Sequence, residues 1–287
     1  MTVRPRRSVL YMPASNQKAI DKARTLPCDA VILDLEDAVA PEAKDVARAQ
    51  AVEAVKAGGF GRREVIIRVN GLDTPWGAAD LAAAALAGPD AVLVPKINDG
   101  ADVARYDARI DSAPAHTRLW TMIETAKVLF HLEDVAASSA TSRMTCWVMG
   151  TNDLVKETGA RLTVRRDALF APLSLSVAAA KAYGLTILDG VFNGLEDVEG
   201  FTAQCLQGVE FGFDGKTLIH PSQVEPANTA FSPTEDEIAF ARAVIAAFAL
   251  PENQDRGAIR VDGKMAERLH LAQAEKTVAV ADAIANS

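Results

Sequence analysis

The sequence predicts an α/β fold, because short hydrophobic segments alternate with amphipathic helical segments along about the first 220 residues. Most of the short segments are continuous apolar runs, as expected for parallel strands that are buried on both faces. The predicted strands are Ser8–Met12, Ala30–Leu35, Glu64–Val69, Ala91–Pro95, Leu119–Glu124, Thr145–Met149, Thr186–Gly190 and Gly212–Ile219. Eight strand–helix units in a segment of this length match a (β/α)8 TIM barrel.

Two segments between the predicted strands show the helical period most clearly, Trp76–Ala87 and Asp167–Tyr183. An open doubly wound sheet is the alternative arrangement of the same elements. The sequence has no G-x-G-x-x-G motif after its first predicted strand, and this disfavours the dinucleotide-binding form of such a sheet. The barrel is therefore the favoured arrangement.

The pattern changes after the last predicted strand, where a linker-like stretch lies between Pro226 and Pro233. Thr234 and the three acids that follow it then predict a helix N-terminus. The predicted helix, extended segment and last helix are Thr234–Ala249, Ala258–Gly263 and Met265–Ala285. We therefore predict a catalytic barrel over residues 1–232 and a C-terminal helical and loop extension over residues 233–287.

The composition and charge disfavour several classes of protein and of site. The 287 residues carry a net charge of −8 and no basic stripe, which disfavours nucleic acid as a partner. No run of about 18 apolar residues predicts a membrane span, and no leader-like segment is visible, so we expect a cytoplasmic protein. The three cysteines form no C-x-x-C pair, which disfavours a zinc site and a disulfide framework.

Polar and charged residues gather at the ends of the predicted strands. These residues are Asp34-Leu35-Glu36-Asp37, Arg68-Val69-Asn70-Gly71, Pro95-Lys96, Glu124, Asp153, Asp189-Gly190 and His220-Pro221. The C-terminal ends of the strands carry the active site in barrel enzymes, so this pattern predicts an enzyme. We interpret His220 as an anchor of its loop rather than a general base.

Glu124 and Asp153 follow neighbouring predicted strands and form the simplest site for a hard divalent cation. Magnesium is typically held by one or two carboxylates together with waters and substrate oxygens. The alternative is that each acid only caps the helix that follows it. Arg68 and Lys96 add positive charge at the same face, which suits an anionic, metal-chelating substrate.

The strand-end motifs, together with His220-Pro221-Ser222-Gln223 and Val261-Asp262-Gly263-Lys264-Met265, resemble the beta subunit of citrate lyase and its relatives. These relatives are the malyl-CoA lyases, citramalyl-CoA lyases and malyl-CoA thioesterases of the HpcH/HpaI aldolase superfamily. The resemblance runs in order from about Ser8 to Met265, which is nearly the whole chain. It departs from the family at Ala14, where a glycine is usual, and directly after Met265.

The resemblance implies a barrel that binds Mg²⁺ through Glu124 and Asp153. It implies that Arg68 holds a carbonyl oxygen on which negative charge develops, and that Asp262 is an acid/base in a neighbouring subunit's active site. A homotrimer or homohexamer is therefore expected.

Six further residues complete the predicted site. Lys18 and Lys22 are predicted contacts of the CoA phosphates, and Lys96 and Asn70 are predicted substrate contacts. Glu36 and Asp37 are expected to bind metal waters and orient the ligands around the metal, which places them among the catalytic residues.

The predicted function is a Mg²⁺-dependent carbon–carbon lyase that cleaves or forms a CoA thioester such as malyl-CoA or citramalyl-CoA, with a small 2-oxo acid as co-product. The same residues also suit a malyl-CoA thioesterase if a water replaces the departing fragment, and the sequence does not separate the two. A citrate lyase beta subunit that acts only within a complex, and a non-catalytic scaffold, are further alternatives.

Overall fold

The computed structural model describes residues 4–286 and confirms the predicted (β/α)8 barrel. Eight parallel strands pair in sequence order, and the eighth pairs with the first to close the barrel. The strands are β1 (Ser8–Pro13), β2 (Ala30–Asp34), β3 (Glu64–Arg68), β4 (Ala91–Val94), β5 (Arg118–Ile123), β6 (Met144–Met149), β7 (Thr186–Asp189) and β8 (Gly215–Leu218). Each matches a predicted strand to within three residues.

At least one helix follows each strand of the barrel. These helices are α1 (Gln17–Ala23), α2 (Lys44–Ala57), α3 (Gly77–Ala87), α4 (Gly100–Arg109), α5 (Leu132–Ala137), α6 (Thr151–Thr158), α7 (Phe170–Ala182), α8 (Val198–Phe211) and α9 (Val224–Ala230). Two predicted boundaries are wrong here. The residues between Pro226 and Pro233 form most of α9 rather than a linker, because proline is tolerated in the first turn of a helix. β8 begins at Gly215, because Gly212 ends α8 in a left-handed conformation.

Two apolar layers surround the strands, because alternate side chains of a strand point to opposite faces. The outer layer packs between the strands and the helices. The inner layer fills the barrel and comprises Val9, Ala30, Ile32, Ile66, Ala91, Leu93, Trp120, Met122, Cys146, Val148 and Leu188. Two residues beyond Ile32, Ile66 and Met122, the inward positions carry Asp34, Arg68 and Glu124. The last inner layer is therefore charged, and this layer forms the floor of the candidate site.

The described part of the chain divides into two compact units, Arg6–Phe231 and a second unit that contains residues 232–286 together with Arg4 and Pro5. The second unit has its own apolar cluster between α10 (Glu235–Ala249) and α11 (Arg268–Ala285). Thr234 accepts a hydrogen bond from the amide of Glu237 and caps α10, as predicted.

A two-stranded hairpin lies between these two helices, formed by β9 (Ala258–Val261) and β10 (Lys264–Glu267). Its turn consists of Asp262 (φ 47°) and Gly263 (φ 81°). Asp-Gly with positive φ at both positions is typical of a two-residue hairpin. The predicted start of the last helix at Met265 is therefore wrong, because residues 264–267 pair as a strand.

Among residues 4–286, no helix is long and apolar enough to span a bilayer.

Candidate active site

Arg68 occupies the centre of the candidate site and is held by Asp34. The two residues are directly opposite each other in the β2–β3 register. Nε of Arg68 donates to Oδ1 of Asp34 at 2.6 Å, and Nη2 donates to Oδ2 at 2.7 Å. The guanidinium also lies 4.8 Å from the centre of the Tyr11 ring. A bidentate pair of this kind fixes the plane of the guanidinium as well as its position.

Asp34 remains a carboxylate although it is fully buried. Burial opposes its charge, but the Arg68 guanidinium and the amides of Glu36 and Ala38 hold the pKa of Asp34 below its usual value. The pair therefore keeps both of its charges, and Arg68 presents its third nitrogen, Nη1, away from Asp34.

Nη1 of Arg68 has partners that are longer or less well aligned than the Asp34 oxygens bound by Nε and Nη2. It lies 2.7 Å from Oε2 of Glu36, without the alignment of a hydrogen bond, and donates to Oδ2 of Asp37 at 3.2 Å. It also donates to Sδ of Met122 at 3.7 Å. Asp37 is largely exposed, whereas Glu36 is mostly buried. Burial, with added repulsion from Glu124, Asp37 and Asp34, raises the pKa of Glu36 to about 8 against the opposing effect of Arg68.

Glu36→Gln should change how the stability of the metal-free protein depends on pH. The unfolded chain releases this proton near pH 4.5 and the folded protein near pH 8, so stability falls as pH rises through that window. A neutral glutamine removes this contribution. Urea unfolding between about pH 5 and about pH 8 should therefore show a shallower loss of unfolding free energy in the variant. An unchanged slope would show that Glu36 does not titrate in this range.

The two predicted metal ligands lie close to one lysine. Glu124 follows β5 and is fully buried, and Asp153 lies in the first turn of α6. The backbone amide of Lys96 donates to Oε1 of Glu124 at 2.8 Å. Nζ of Lys96 lies 2.6 Å from Oδ1 of Asp153 and 3.5 Å from Oε1 of Glu124. Lys96 adopts this position from a left-handed backbone conformation (φ 55°). The predicted substrate contact of Lys96 stays a prediction.

This pair of carboxylates fits a divalent cation. Burial, with repulsion from Asp153, raises the pKa of Glu124 against the effect of Lys96. Oε2 of Glu124 is buried and has no hydrogen-bond partner within the described part of the chain. A Cβ at Gly150 would lie 2.5 Å from that oxygen, so only glycine leaves space beside it. Residues 4–286 contain no group of three or more His, Cys, Asp or Glu side chains suited to a metal, so this site offers two carboxylates. That number suits Mg²⁺, which keeps several waters.

A cleft of about 270 Å³ opens above these residues. Its lining contains charged groups, small polar groups and apolar groups from seven of the eight strand ends. The lining residues are Tyr11, Asp34, Asp37, Ala38, Arg68, Met122, Glu124, Met149, Gly150, Thr151, Asn152, Asp153, Val191, Asn193, Thr217 and Ile219. Arg68, Asp37, Glu124 and Asp153 are thus brought together as the sequence predicted, although their roles stay predictions.

Asn70 is buried below this cleft and makes several internal contacts. Its amide nitrogen donates to the carbonyl of Leu35 and to Asp80, and its oxygen accepts from Nζ of Lys44. Lys44 also donates to the carbonyls of Leu35 and Glu36. Asn70 therefore ties the segment after β2 to α2 and α3. The substrate contact predicted for Asn70 stays a prediction.

The remaining predicted residues lie outside the cleft lining. Lys18 and Lys22 are exposed on α1, and their contacts with CoA stay predictions. Asp262 is exposed at the tip of the β9–β10 hairpin. His220 accepts a hydrogen bond from the amide of Ser222, as expected for a loop anchor, and its role stays a prediction.

The sequence placed Asp34 at a strand end without assigning it a role, and it gave no indication of Tyr11 and Thr217 as components of this cleft. Their signal is the period of two along each strand, because each lies on the inward side of its strand. Asp34 continues the inward series from Ile32, and Tyr11 continues it from Val9.

Comparison with known proteins places the chain among relatives of known activity. The model of the HpcH/HpaI aldolase/citrate lyase family matches residues 7–221. The chain is 48% identical to a (3S)-malyl-CoA thioesterase of Cereibacter sphaeroides, over 98% of this chain and 96% of the relative. It is 32% identical to an L-malyl-CoA/beta-methylmalyl-CoA lyase of the same organism, over 98% of this chain and 96% of the relative.

A solved structure shares the fold over nearly the whole chain. It is the protein CitE of Mycobacterium tuberculosis in complex with magnesium, acetoacetate and coenzyme A. The TM-score is 0.78 at 28% identity, over 98% of this chain and 100% of that one.

These relatives correct the predicted reaction. The carbon–carbon lyase was the main prediction, and it is wrong, because the full-length relatives at 48% identity are thioesterases whereas the lyases are only 32% identical. The predicted alternative, a malyl-CoA thioesterase, agrees with the comparison. The physical reason for the error is that one set of residues can stabilise an acyl oxygen in either reaction.

Proposed function

Since the chain belongs to the HpcH/HpaI aldolase/citrate lyase family, we propose that it is a Mg²⁺-dependent thioesterase that hydrolyses malyl-CoA or a similar CoA thioester. The observation that carries this proposal is the identity of 48% with malyl-CoA thioesterases along almost the full chain. The site is consistent with it, because a fixed guanidinium nitrogen faces a cleft that also contains a pair of acids.

Arg68 would stabilise the reacting acyl oxygen in this enzyme. Attack on a thioester carbonyl moves negative charge onto its oxygen, and a charge-assisted donor fixed in advance stabilises that charge. Asp34 holds Nε and Nη2, so Nη1 is the nitrogen that can reach the substrate. The partners of Nη1 are looser than those of the other two nitrogens, and a substrate oxygen can replace one of them.

Glu124 and Asp153 would hold the magnesium ion, and Lys96 would have to withdraw from Asp153 for this to occur. When bound, a magnesium ion acts as a Lewis acid and orients the oxygens of an anionic substrate. Lys96, once released, would remain near the carboxylate of that substrate. Glu36 and Asp37 would accept hydrogen bonds from waters beside the ion.

Asp262 would take a proton from the attacking water. It lies in the C-terminal unit, and we propose that the hairpin tip enters the cleft of a neighbouring subunit in a homotrimer or homohexamer. Lys18 and Lys22 would contact the CoA phosphates, and Asn70 would support the substrate-facing loop after β3.

The proposal is tested by assaying the products of the purified protein with (3S)-malyl-CoA and magnesium. We expect malate and free CoA thiol in equal amounts and no glyoxylate. Release of acetyl-CoA and glyoxylate would contradict the proposal. Absence of turnover would also contradict it, and would favour a subunit that requires partners or a scaffold.

Arg68→Lys should lower kcat by about 10²- to 10³-fold, although it keeps the positive charge. Lysine cannot form the two parallel bonds to Asp34 and still present a nitrogen to the cleft. Arg24→Lys is the matched control, because Arg24 also stacks on an aromatic ring, that of Phe60, but lies outside the cleft lining. A near-normal kcat in Arg68→Lys would show that Arg68 serves only the fold.

A further inference from the structure

Tyr11 lies beside Arg68 on the floor of the cleft. It comes from the inward side of β1, lines the cleft, and packs against the apolar residues of the barrel interior. Its ring centre lies 4.8 Å from the Arg68 guanidinium. The ring therefore supports the guanidinium from one side, while Asp34 holds it at the edge.

The hydroxyl of Tyr11 has only a weak hydrogen-bond acceptor among the described residues. Within the described residues its only hydrogen-bond partner is Sδ of Met122, at 4.0 Å. Nη1 of Arg68 donates to the same sulfur at 3.7 Å. A thioether is a weak acceptor, whereas a buried tyrosine hydroxyl usually finds a strong one. Two donors thus share one weak acceptor, although Nη1 of Arg68 also donates to Oδ2 of Asp37.

We propose that Tyr11 is a catalytic residue, and that its hydroxyl and Nη1 of Arg68 together bind the carbonyl oxygen of the substrate thioester. This inference rests on the proposed thioesterase function. The substrate oxygen takes the place of the Met122 sulfur as the acceptor for both donors. Two donors that converge on a developing negative charge form an oxyanion hole.

The protonation state of Tyr11 suits this role. Burial raises the pKa of Tyr11, and the neighbouring carboxylates raise it further against the opposing effect of Arg68. The hydroxyl therefore keeps its proton and acts as a neutral donor. Arg68 donates a hydrogen bond to the substrate oxygen and carries the positive charge, and Tyr11 donates a second hydrogen bond from another direction.

Tyr11 and Arg68 form hydrogen bonds to the substrate in this reaction, and neither forms a covalent bond to it. Asp262 takes one proton from a water as the oxygen of that water bonds to the carbonyl carbon, and the electron pair of the C=O double bond moves to the carbonyl oxygen between Tyr11 and Arg68. The carbonyl then re-forms as the C–S bond breaks. The sulfur leaves as the CoA thiolate and takes up the proton held by Asp262. The acid product keeps the oxygen of the water and releases the second proton to solvent.

Tyr11→Phe tests the inference, because it removes the hydroxyl and keeps the ring beneath Arg68. We expect kcat for malyl-CoA hydrolysis to fall by about 10²-fold with little change in KM. The hydrogen bond from the Tyr11 hydroxyl strengthens only as negative charge develops on the carbonyl oxygen in the transition state. Tyr183→Phe is the control, because Tyr183 lies at the end of α7 and does not line the cleft. Its kcat should match that of the unmodified protein.

Two further measurements separate the outcomes. The thermal midpoint of Tyr11→Phe should stay near that of the unmodified protein, and a large drop would overturn the inference by showing that the hydroxyl is structural. The bound methylene-ketone analogue of malyl-CoA, with carbon in place of the thioester sulfur, should show a lower carbonyl stretching frequency in the unmodified protein than in Tyr11→Phe. Equal frequencies, or an unchanged kcat, would also overturn it. If the unmodified protein releases no malate, the proposed function fails instead.

Discussion

Glu124→Gln should abolish magnesium-dependent turnover, leaving a rate no higher than that of the unmodified protein after chelation. Glutamine keeps the shape of the side chain and can still accept the hydrogen bond from the amide of Lys96. It removes one of the two negative charges available to a cation. The other carboxylate, Asp153, then remains neutralised by the Lys96 ammonium at 2.6 Å. Calorimetric titration with magnesium should show greatly weakened binding, and this readout does not depend on activity.

Loss of the fold is excluded as a cause by a stability measurement. Burial raises the pKa of Glu124, so a neutral amide is easier to bury there than a carboxylate. The variant should therefore melt at or above the temperature of the unmodified protein in the absence of metal. Glu133→Gln, an exposed change on α5, is the matched control. Turnover and magnesium affinity that match the unmodified protein in Glu124→Gln would refute the metal site.

Asp262→Asn should lower kcat by about 10²- to 10⁴-fold, the usual contribution of a general acid or base. Asparagine is chosen because it preserves the two-residue turn that contains Asp262. Asparagine before glycine forms the same two-residue turn as aspartate, so the hairpin should keep its geometry while losing the carboxylate. If Asp262 serves only the turn, Asp262→Asn should be fully active and Asp262→Ala should be less stable. Intact mass should be checked, because Asn-Gly sequences can revert to aspartate.

Co-expression of Asp262→Asn with Arg68→Ala tests whether subunits share the site. Some interfaces of a mixed oligomer would pair an intact barrel with an intact hairpin, and part of the activity should return. If Asp262 acts within its own chain, every site still lacks one group and no activity returns. Two affinity tags, one on each variant, would confirm that mixed oligomers form.

Much of the barrel could be predicted because its strands are buried on both faces and stand out as apolar runs. The boundaries that failed involve local turn chemistry. Asp262-Gly263 carries a strong hairpin signal, but the residues after it also fit a helical period, and the pairing of β10 with β9 prevails. Pro226 resembles a linker residue, yet it is compatible with the first turn of α9.

The site was predictable as a set of residues but not as a set of contacts. Asp34 and Arg68 are 34 residues apart in sequence, and they meet only because β2 and β3 pair in one register. The position of the Lys96 side chain depends on its left-handed backbone, which a pattern of residue types does not encode. The choice between a lyase and a thioesterase depends on whether a water can occupy the position beside the thioester carbon. The motifs do not show this, whereas similarity over the full chain favours the thioesterase.

The proposed thioesterase requires that water attacks the thioester carbon of malyl-CoA, and incorporation of labelled oxygen into malate tests this step. The protein would be incubated with (3S)-malyl-CoA and magnesium in water enriched in ¹⁸O, and the malate would be analysed by mass spectrometry. We predict one ¹⁸O atom in the carboxylate of each malate, with free CoA thiol in equal amount. Formation of glyoxylate and acetyl-CoA with no labelled malate would show that the protein does not hydrolyse the thioester.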